Sequence, residues 1–264
     1  MFNKETLNST SYRKTCRRYN EAGHAHAVTF SCFRRQPFLS RDRSRQWLIE
    51  AIDRARKKHA FHVWAYVIMP EHSHLLIYPI EEEYDISAVL ASIKKSVANR
   101  AMAFVGKHAP DFLARMRDEQ PNGKVAHRFW QRGGGYDRNL WSPRYIWKTI
   151  DCIHNNPVRR GLCDTPVDWY WSSAADYQRG TPGLLMVDKS NLPNDPRVTG
   201  GCPEERHCWC SSCLPATSSR ESMAPSAWRL CKLRASVGRT RRECPESRES
   251  PATLRYRIGW DGSR

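Results

Sequence analysis

The run VWAYVIMPEHSHLLIYP, Val63 to Pro79, is apolar except at its middle, where Glu71, His72, Ser73 and His74 interrupt it. A strand sends successive side chains to opposite faces, so His72 and His74 project from one face. Two imidazoles side by side form half of a divalent-metal site and leave positions for a third ligand, water and substrate. Pro70 cannot donate a ladder hydrogen bond and ends the first apolar strand. Leu75, Leu76 and Ile77 continue as a second, buried one, which puts the histidines where a hairpin enters a core. Read alone, the HxH pattern also describes two polar residues capping a sheet edge.

Outward from this hairpin, Ser40 to His59 has helical spacing at Trp47, Leu48, Ala51, Ile52 and Ala55, with Ser40 as a plausible N-cap. Arg41, Arg43, Arg45, Arg54, Arg56, Lys57 and Lys58 cover its other side, either as a DNA path or as a solvated face. Asp85 to Lys107 repeats the helical pattern through Ile86, Val89, Leu90, Ile93 and Val97. Upstream, Ala27 to Phe33 reads as a strand, preceded by a second HxH, His24 and His26, taken as surface residues. The order strand, helix, strand, strand, helix asks for one more strand, for which Val125 to Gln131 is the candidate. The fold class expected is α+β, a ferredoxin-like βαββαβ unit whose antiparallel sheet is covered by helices on one face. Trp141 to Asn156 gives a further helix, stopped at Asn156-Pro157.

The chain of 264 residues carries a formal net charge of +16 and a sequence pI near 9.7, spread along its length. That excess points to a polyanionic partner, nucleic acid before acidic membrane. No apolar run reaches the roughly 18–20 residues of a membrane span, so the expectation is a soluble, cytoplasmic bacterial protein, nucleoid-associated when bound to DNA. Its ten cysteines are expected as thiols or metal ligands and not as disulfides. Three regions are expected: a flexible basic arm at 1–23, a catalytic domain at 24–180, and a low-order tail rich in Cys, Arg, Ser and Pro at 181–264. Cys202, Cys208, Cys210 and Cys213 with His207 suggest a zinc knuckle, but the tail lacks two separated CxxC pairs.

Four blocks, YVIMPEHSHLLIYP, FWQRGGGYDRNLW, IHNNPVRRGL and WYWSSAADY, follow one another in the order and spacing of single-tyrosine transposases of the HUH endonuclease class. The chain resembles the REP-associated tyrosine transposases in particular, over about Ala27 to Tyr177. Ser73 departs from that pattern, which usually has an apolar residue there. The resemblance implies an enzyme that cleaves and rejoins single-stranded or hairpin DNA through a 5′-phosphotyrosine, acting as monomer or homodimer on a short imperfect palindrome.

It also implies roles for particular residues. Gly133, Gly134 and Gly135 free the backbone before Tyr136, the expected nucleophile, which the resemblance places at the start of a helix after the sheet. A phenol titrating near 10 needs help to attack at neutral pH, and a Mg2+ or Mn2+ ion on His72 and His74 offers it. Asn139 is the third ligand expected, with Asp137 as its rival. Arg138, Arg159 and Arg160 are candidate DNA contacts, while the asparagines of IHNNPVRRGL read as cap and turn residues. The aromatic residues Trp169, Tyr170, Trp171 and Tyr177 suit either base stacking or closure of the core. Two alternatives stay open: a rolling-circle initiator or relaxase of the same chemistry, and a non-catalytic DNA-binding regulator.

Overall fold

The computed structural model describes residues 18–120 and 122–197. The alternation expected from the opening run produces two adjacent antiparallel strands, β2 (Phe61–Ile68) and β3 (His72–Pro79). β1 (Ala25–Ser31) pairs with the other side of β3, and β6 (Tyr136–Leu140) pairs with β1. The result is a four-stranded, wholly antiparallel sheet in the order β2-β3-β1-β6. The protein is therefore α+β.

Helices α1 (Asp42–Lys58) and α2 (Ile86–His108) follow the two patterns read from the sequence. Leu48, Ile52 and Ala55 of α1 meet Ile86, Leu90, Ile93 and Val97 of α2 over one face of the sheet, where Val28, Phe30, Leu75 and Ile77 point. Asp85 caps α2 by accepting from the Ser87 N–H at 2.7 Å. In α1 the cap position falls to Arg41, not Ser40, and no side chain closes that end.

Two departures from expectation reshape the site. The fourth strand is not Val125 to Gln131. Only Val125–His127 is extended, as β5, and it pairs with β4 (Arg117–Glu119) in a separate hairpin that follows the short helix α3 (Leu113–Met116). Beyond it Phe129 and Trp130 turn into the core, which prevents the strand from running on. The sheet edge is taken by β6, so Tyr136 opens a strand and not a helix.

The second departure is a layer on the sheet's other face. Helix α4 (Pro143–His154) packs there through Ile146, Ile150 and Ile153 against Ala25, Trp64, Leu76 and Leu140. The sheet thus has helices on both faces. Helix α5 (Asn156–Arg159) continues α4 after a bend at Asn155, and α6 (Ala174–Gln178) follows the WYWSS block. That block serves closure: Ile68 N–H donates to the Trp171 carbonyl at 2.8 Å, Trp169 donates to Ile68 O, and the Tyr177 hydroxyl donates to Trp64 O.

The boundary expected at Gly180 also moves. Leu185 and Val187 are buried, and the Asp188 N–H donates to the Val63 carbonyl at 2.8 Å. Cys32 and Cys163 are free thiols as expected, whereas Cys152 is disulfide-bonded. The basic residues Arg13, Lys14 and Arg17 and the cysteine-rich segment with its zinc-knuckle candidates lie outside the described residues.

The glycine run is what lets β6 close on β1. Gly135 has φ +75°, and a Cβ there would fall well inside contact distance of the Thr29 carbonyl oxygen. Gly133, at φ +90°, faces open space. Gly133→Ala should cost only the left-handed backbone penalty, about 1–2 kcal/mol. Gly135→Ala adds a backbone clash and should cost above about 3 kcal/mol. Urea unfolding of the two variants checks this, and equal midpoints would show that the close approach does not hold β6.

Candidate functional site

Directly opposed residues of an antiparallel pair point to the same face. His74 of β3 faces Thr29 of β1, which faces Tyr136 of β6. His72 faces Ser31. This row lies on the side covered by α4 and α5, where both histidines are buried. Ser73, one position between them, projects the other way and donates to the Val67 carbonyl at 3.0 Å. Its departure from the family pattern therefore leaves the histidines untouched.

The two rings converge, with Nε2 of His72 3.0 Å from Nε2 of His74. Their outer nitrogens are held from behind. Nδ1 of His72 meets the Glu71 carboxylate at 3.1 Å, and Nδ1 of His74 meets the Thr29 hydroxyl at 2.7 Å. A carboxylate only accepts, so His72 carries a proton on Nδ1. The buried Asn156 amide stands 3.0 Å from Nε2 of His74 and donates to it, so that nitrogen accepts. The two Nε2 atoms, 3.0 Å apart, share one proton or one cation between them.

The donor set fits a divalent ion. At the bond length of about 2.1 Å of an octahedral hard ion, two adjacent ligands stand about 3.0 Å apart, the separation found for the two Nε2 atoms. Among the described residues no group of three or more His, Cys, Asp or Glu side chains completes a site. The third protein ligand at hand is the Asn156 amide, whose oxygen reaches the same point once the amide is turned over. Partners on the far ring nitrogens are the usual support of metal-bound histidines.

Electrostatics around His74 favour neutral imidazole. Burial, then the charges of His72 and Arg159, hold His74 well below the usual histidine range. Burial pushes the Glu71 carboxyl up, but the His72 hydrogen bond and the charges of His72 and Arg160 outweigh it and keep Glu71 below its ordinary range. Arg160 Nη2 lies 2.8 Å from Glu71 Oε1. Arg159 donates to the Cys152 carbonyl. Both arginines thus flank the histidines and are exposed.

The other expected ligands are elsewhere. Asp137 and Asn139 alternate with Tyr136 and Arg138 along β6 and so project from the opposite face of the sheet. Asp137 is buried between Arg18, at 3.2 Å, and His26, at 2.9 Å. Asn139 donates to the Tyr19 carbonyl. Neither shares a face with the histidine pair, and both are withdrawn as metal ligands. His26, expected on the surface, is fully buried and bridges Asp137 to the Tyr84 hydroxyl. Tyr136 keeps the right face, is 42% exposed, and stands two strands from His74, about 10 Å between Cα atoms at ordinary strand spacing. Arg138 lies on the same face with its guanidinium over the Tyr145 ring.

Sequence reasoning missed Asn156 and Thr29. Asn156 sits in the NNP segment, where capping seemed a sufficient role for it. Thr29 becomes relevant only when the register of β1 against β3 is known.

A buried histidine pair with an amide beside it, on an inner strand of an antiparallel sheet, defines a candidate metal-assisted site of a basic α+β protein. Residues 20–113 match the family model described as Transposase IS200 like, so over that segment the resemblance read from the sequence holds at the level of this family. The match runs from β1 through α2 and contains both histidines, and it ends before the segments that carry Tyr136 and Asn156. No curated protein is matched. Two solved structures are similar in part. One is a REP-associated tyrosine transposase bound to a REP hairpin, at 22% identity over 69% of this chain and 94% of that one, with a TM-score of 0.49. The other is a Deinococcus radiodurans r1 protein named as a transposase, at 16% identity over 55% of this chain and 97% of that one, with a TM-score of 0.34. At these values neither likeness speaks to this chain's chemistry. Among the described residues no helix is long and apolar enough to cross a membrane.

If the pair binds metal, Mn2+ should stabilise the fold. At a hundred times its dissociation constant it adds about 2.7 kcal/mol, a rise of several degrees in thermal midpoint for a domain of this size. His72→Ala should abolish the rise. Asn156→Asp, which keeps an oxygen donor, should retain it, and differential scanning fluorimetry reads both.

Proposed function

We propose that the protein is a DNA transposase and endonuclease that cleaves and rejoins single-stranded or hairpin DNA through a 5′-phosphotyrosine, on a ferredoxin-like sheet. The observation that carries this reading is the convergence of the two Nε2 atoms, with the rings held from behind by Glu71 and Thr29.

In this reading His72, His74 and Asn156 hold Mg2+ or Mn2+. Such an ion, once bound, polarises the scissile phosphate. Arg159 and Arg160 flank the pair and attract the DNA backbone, with Arg138 extending the charge towards the sheet edge. The Tyr136 oxygen attacks phosphorus and loses its proton. One P–O bond forms to tyrosine as the bond to the 3′ oxygen breaks, which leaves a 5′-phosphotyrosine and a free 3′ hydroxyl. The phosphodiester count is conserved, so rejoining by the reverse attack needs no nucleotide cofactor. A rolling-circle initiator would share every one of these steps.

One observation favours a second reading, a DNA-binding regulator without strand transfer. The residue one helical turn before Asn156, and so on the same stripe of the α4–α5 segment, is Cys152. No tyrosine sits over the histidine pair on that stripe until Tyr145, about two turns further out.

Incubation with a panel of labelled hairpin oligonucleotides and Mg2+ or Mn2+, resolved on a denaturing gel, separates the readings. A covalent adduct should form only with metal and fall at least about a thousandfold in Tyr136→Phe and His72→Ala, as for loss of a nucleophile or its activator. Tyr145→Phe should keep it. An adduct lost in Tyr145→Phe but kept in Tyr136→Phe would move the nucleophile to α4. Band shifts on a native gel without any adduct would establish the regulator.

A further inference from the structure

We propose that the free edge of the sheet, β6 and the turn into α4, is a stacking platform for unpaired bases, with Trp141 and Tyr145 as its rings and Arg138 as its phosphate contact. This rests on the reading that the protein handles single-stranded DNA and names where the strand lies.

Among the described residues exposed aromatic rings are concentrated at one place. Among the described residues the large exposed hydrophobics include five aromatics, Tyr19, Tyr136, Trp141, Tyr145 and Tyr170, and four of these lie on or against β6. Trp141 is 70% exposed and Tyr145 50%, fractions at which burial cannot be the reason for an aromatic. Their rings are nevertheless held in place. Trp141 is stacked on His24 with ring centroids 5.1 Å apart and an interplanar angle of 26°. The Arg138 guanidinium lies 5.6 Å from the Tyr145 centroid. An ordered ring with one covered face and one open face is what a base needs, and base–aromatic stacking tolerates any base.

Position and charge choose the occupant. Among the described residues β6 is the last strand of the sheet, with β1 its only neighbour. Its face towards α4 carries Tyr136, Arg138 and, against Arg138, the Tyr145 ring, in the row that leads through Thr29 to His74. Trp141, stacked on His24 beside Asn139, stands across the edge, so a strand wrapping the edge from Trp141 to Tyr145 runs on to the histidine pair. A second copy of the chain pairing along this edge is disfavoured. The strand has only five residues and carries Asp137 and Arg138 side by side, and both copies would bring a net charge of +16. Single-stranded DNA brings the opposite charge and flat, unpaired rings.

Fluorescence anisotropy with three probes tests this: labelled oligothymidylate, an abasic strand of the same length, and a duplex. The natural chain should bind oligothymidylate about 5- to 100-fold more tightly than the abasic strand, the worth of a stacked base. That comparison needs no variant. In the double variant Trp141→Ala, Tyr145→Ala the two strands should bind equally, with the slope of affinity against salt unchanged because the phosphate contacts remain. Arg138→Ala should lower that slope and keep the preference for bases. Equal binding of the two strands by the natural chain, or an undiminished preference in the double variant, overturns the platform while leaving adduct formation as evidence for the cleavage reading. Absence of binding to any strand at low salt overturns both. A shift to dimer mass that the double variant loses would assign the edge to a second copy and overturn the proposal.

Discussion

The contact on which the rest of the site depends is the hydrogen bond between Thr29 and His74, because it ties the register of β1 against β3 to the tautomer of a buried imidazole. A slip of one residue in that pairing would turn Thr29 to the side of α1 and α2 and put Val28 or Phe30 behind His74. The imidazole would then lose the partner that keeps its proton on Nδ1, and Nε2 would no longer face His72 as a lone pair. Register is specified here by burial on both faces. Val28 and Phe30 have to meet α1 and α2, and Ala25 has to meet α4. The core thus fixes the chemistry.

The same ladder explains how neighbouring residues of β6 do unrelated work. Asp137 turns inward to Arg18 and His26, a buried charge paired on both sides. Arg18 also reaches the Gly134 carbonyl, and Lys94 donates to the carbonyls of Gln131 and Gly133, so the glycine run is held by two cations. Burial, reinforced by the charge of Arg18, holds Lys94 down to about 8. Breaking a pair of this kind leaves an uncompensated buried charge, which costs far more than the pair contributes. β6 is therefore anchored on its inner side, and this anchorage leaves Tyr136 and Arg138 a fixed place on the outer side.

Much of the fold was legible because its signals are local. The β2–β3 hairpin, α1, α2 and α4 follow from periodicity, and the basic charge from counting. The fourth strand was misplaced because Val125 to Gln131 looks more strand-like than YDRNL, a strand with one buried residue that exists because Gly135 permits close approach to Thr29. That error carried the third ligand with it. Asn139 and Asp137 were placed near the histidines by assuming a helix after Tyr136, whereas strand alternation sends both to the far face. Asn156 was hidden for a different reason: an asparagine before proline has an adequate local explanation, and only the packing of α4 and α5 over the sheet shows what else it meets.

The family match and the site do not coincide, and this limits where function can be lost. Residues 20–113 carry the family match and supply His72, His74, Thr29 and Glu71, which suffices for two ligands and their supports. The third donor, the flanking arginines and the expected nucleophile all come from 136–160, across the sheet edge and under α4. A chain could keep the first group intact, since its two histidines are buried and their loss would cost stability, while changes at Tyr136, Arg159 and Arg160, the exposed members of the second group, would pass without unfolding the protein. Cys152 stands in that second group, one turn from Asn156. Retention of the histidine pair is thus weak evidence for strand transfer, and the decisive chemistry rests on what β6 and α4 present to that pair.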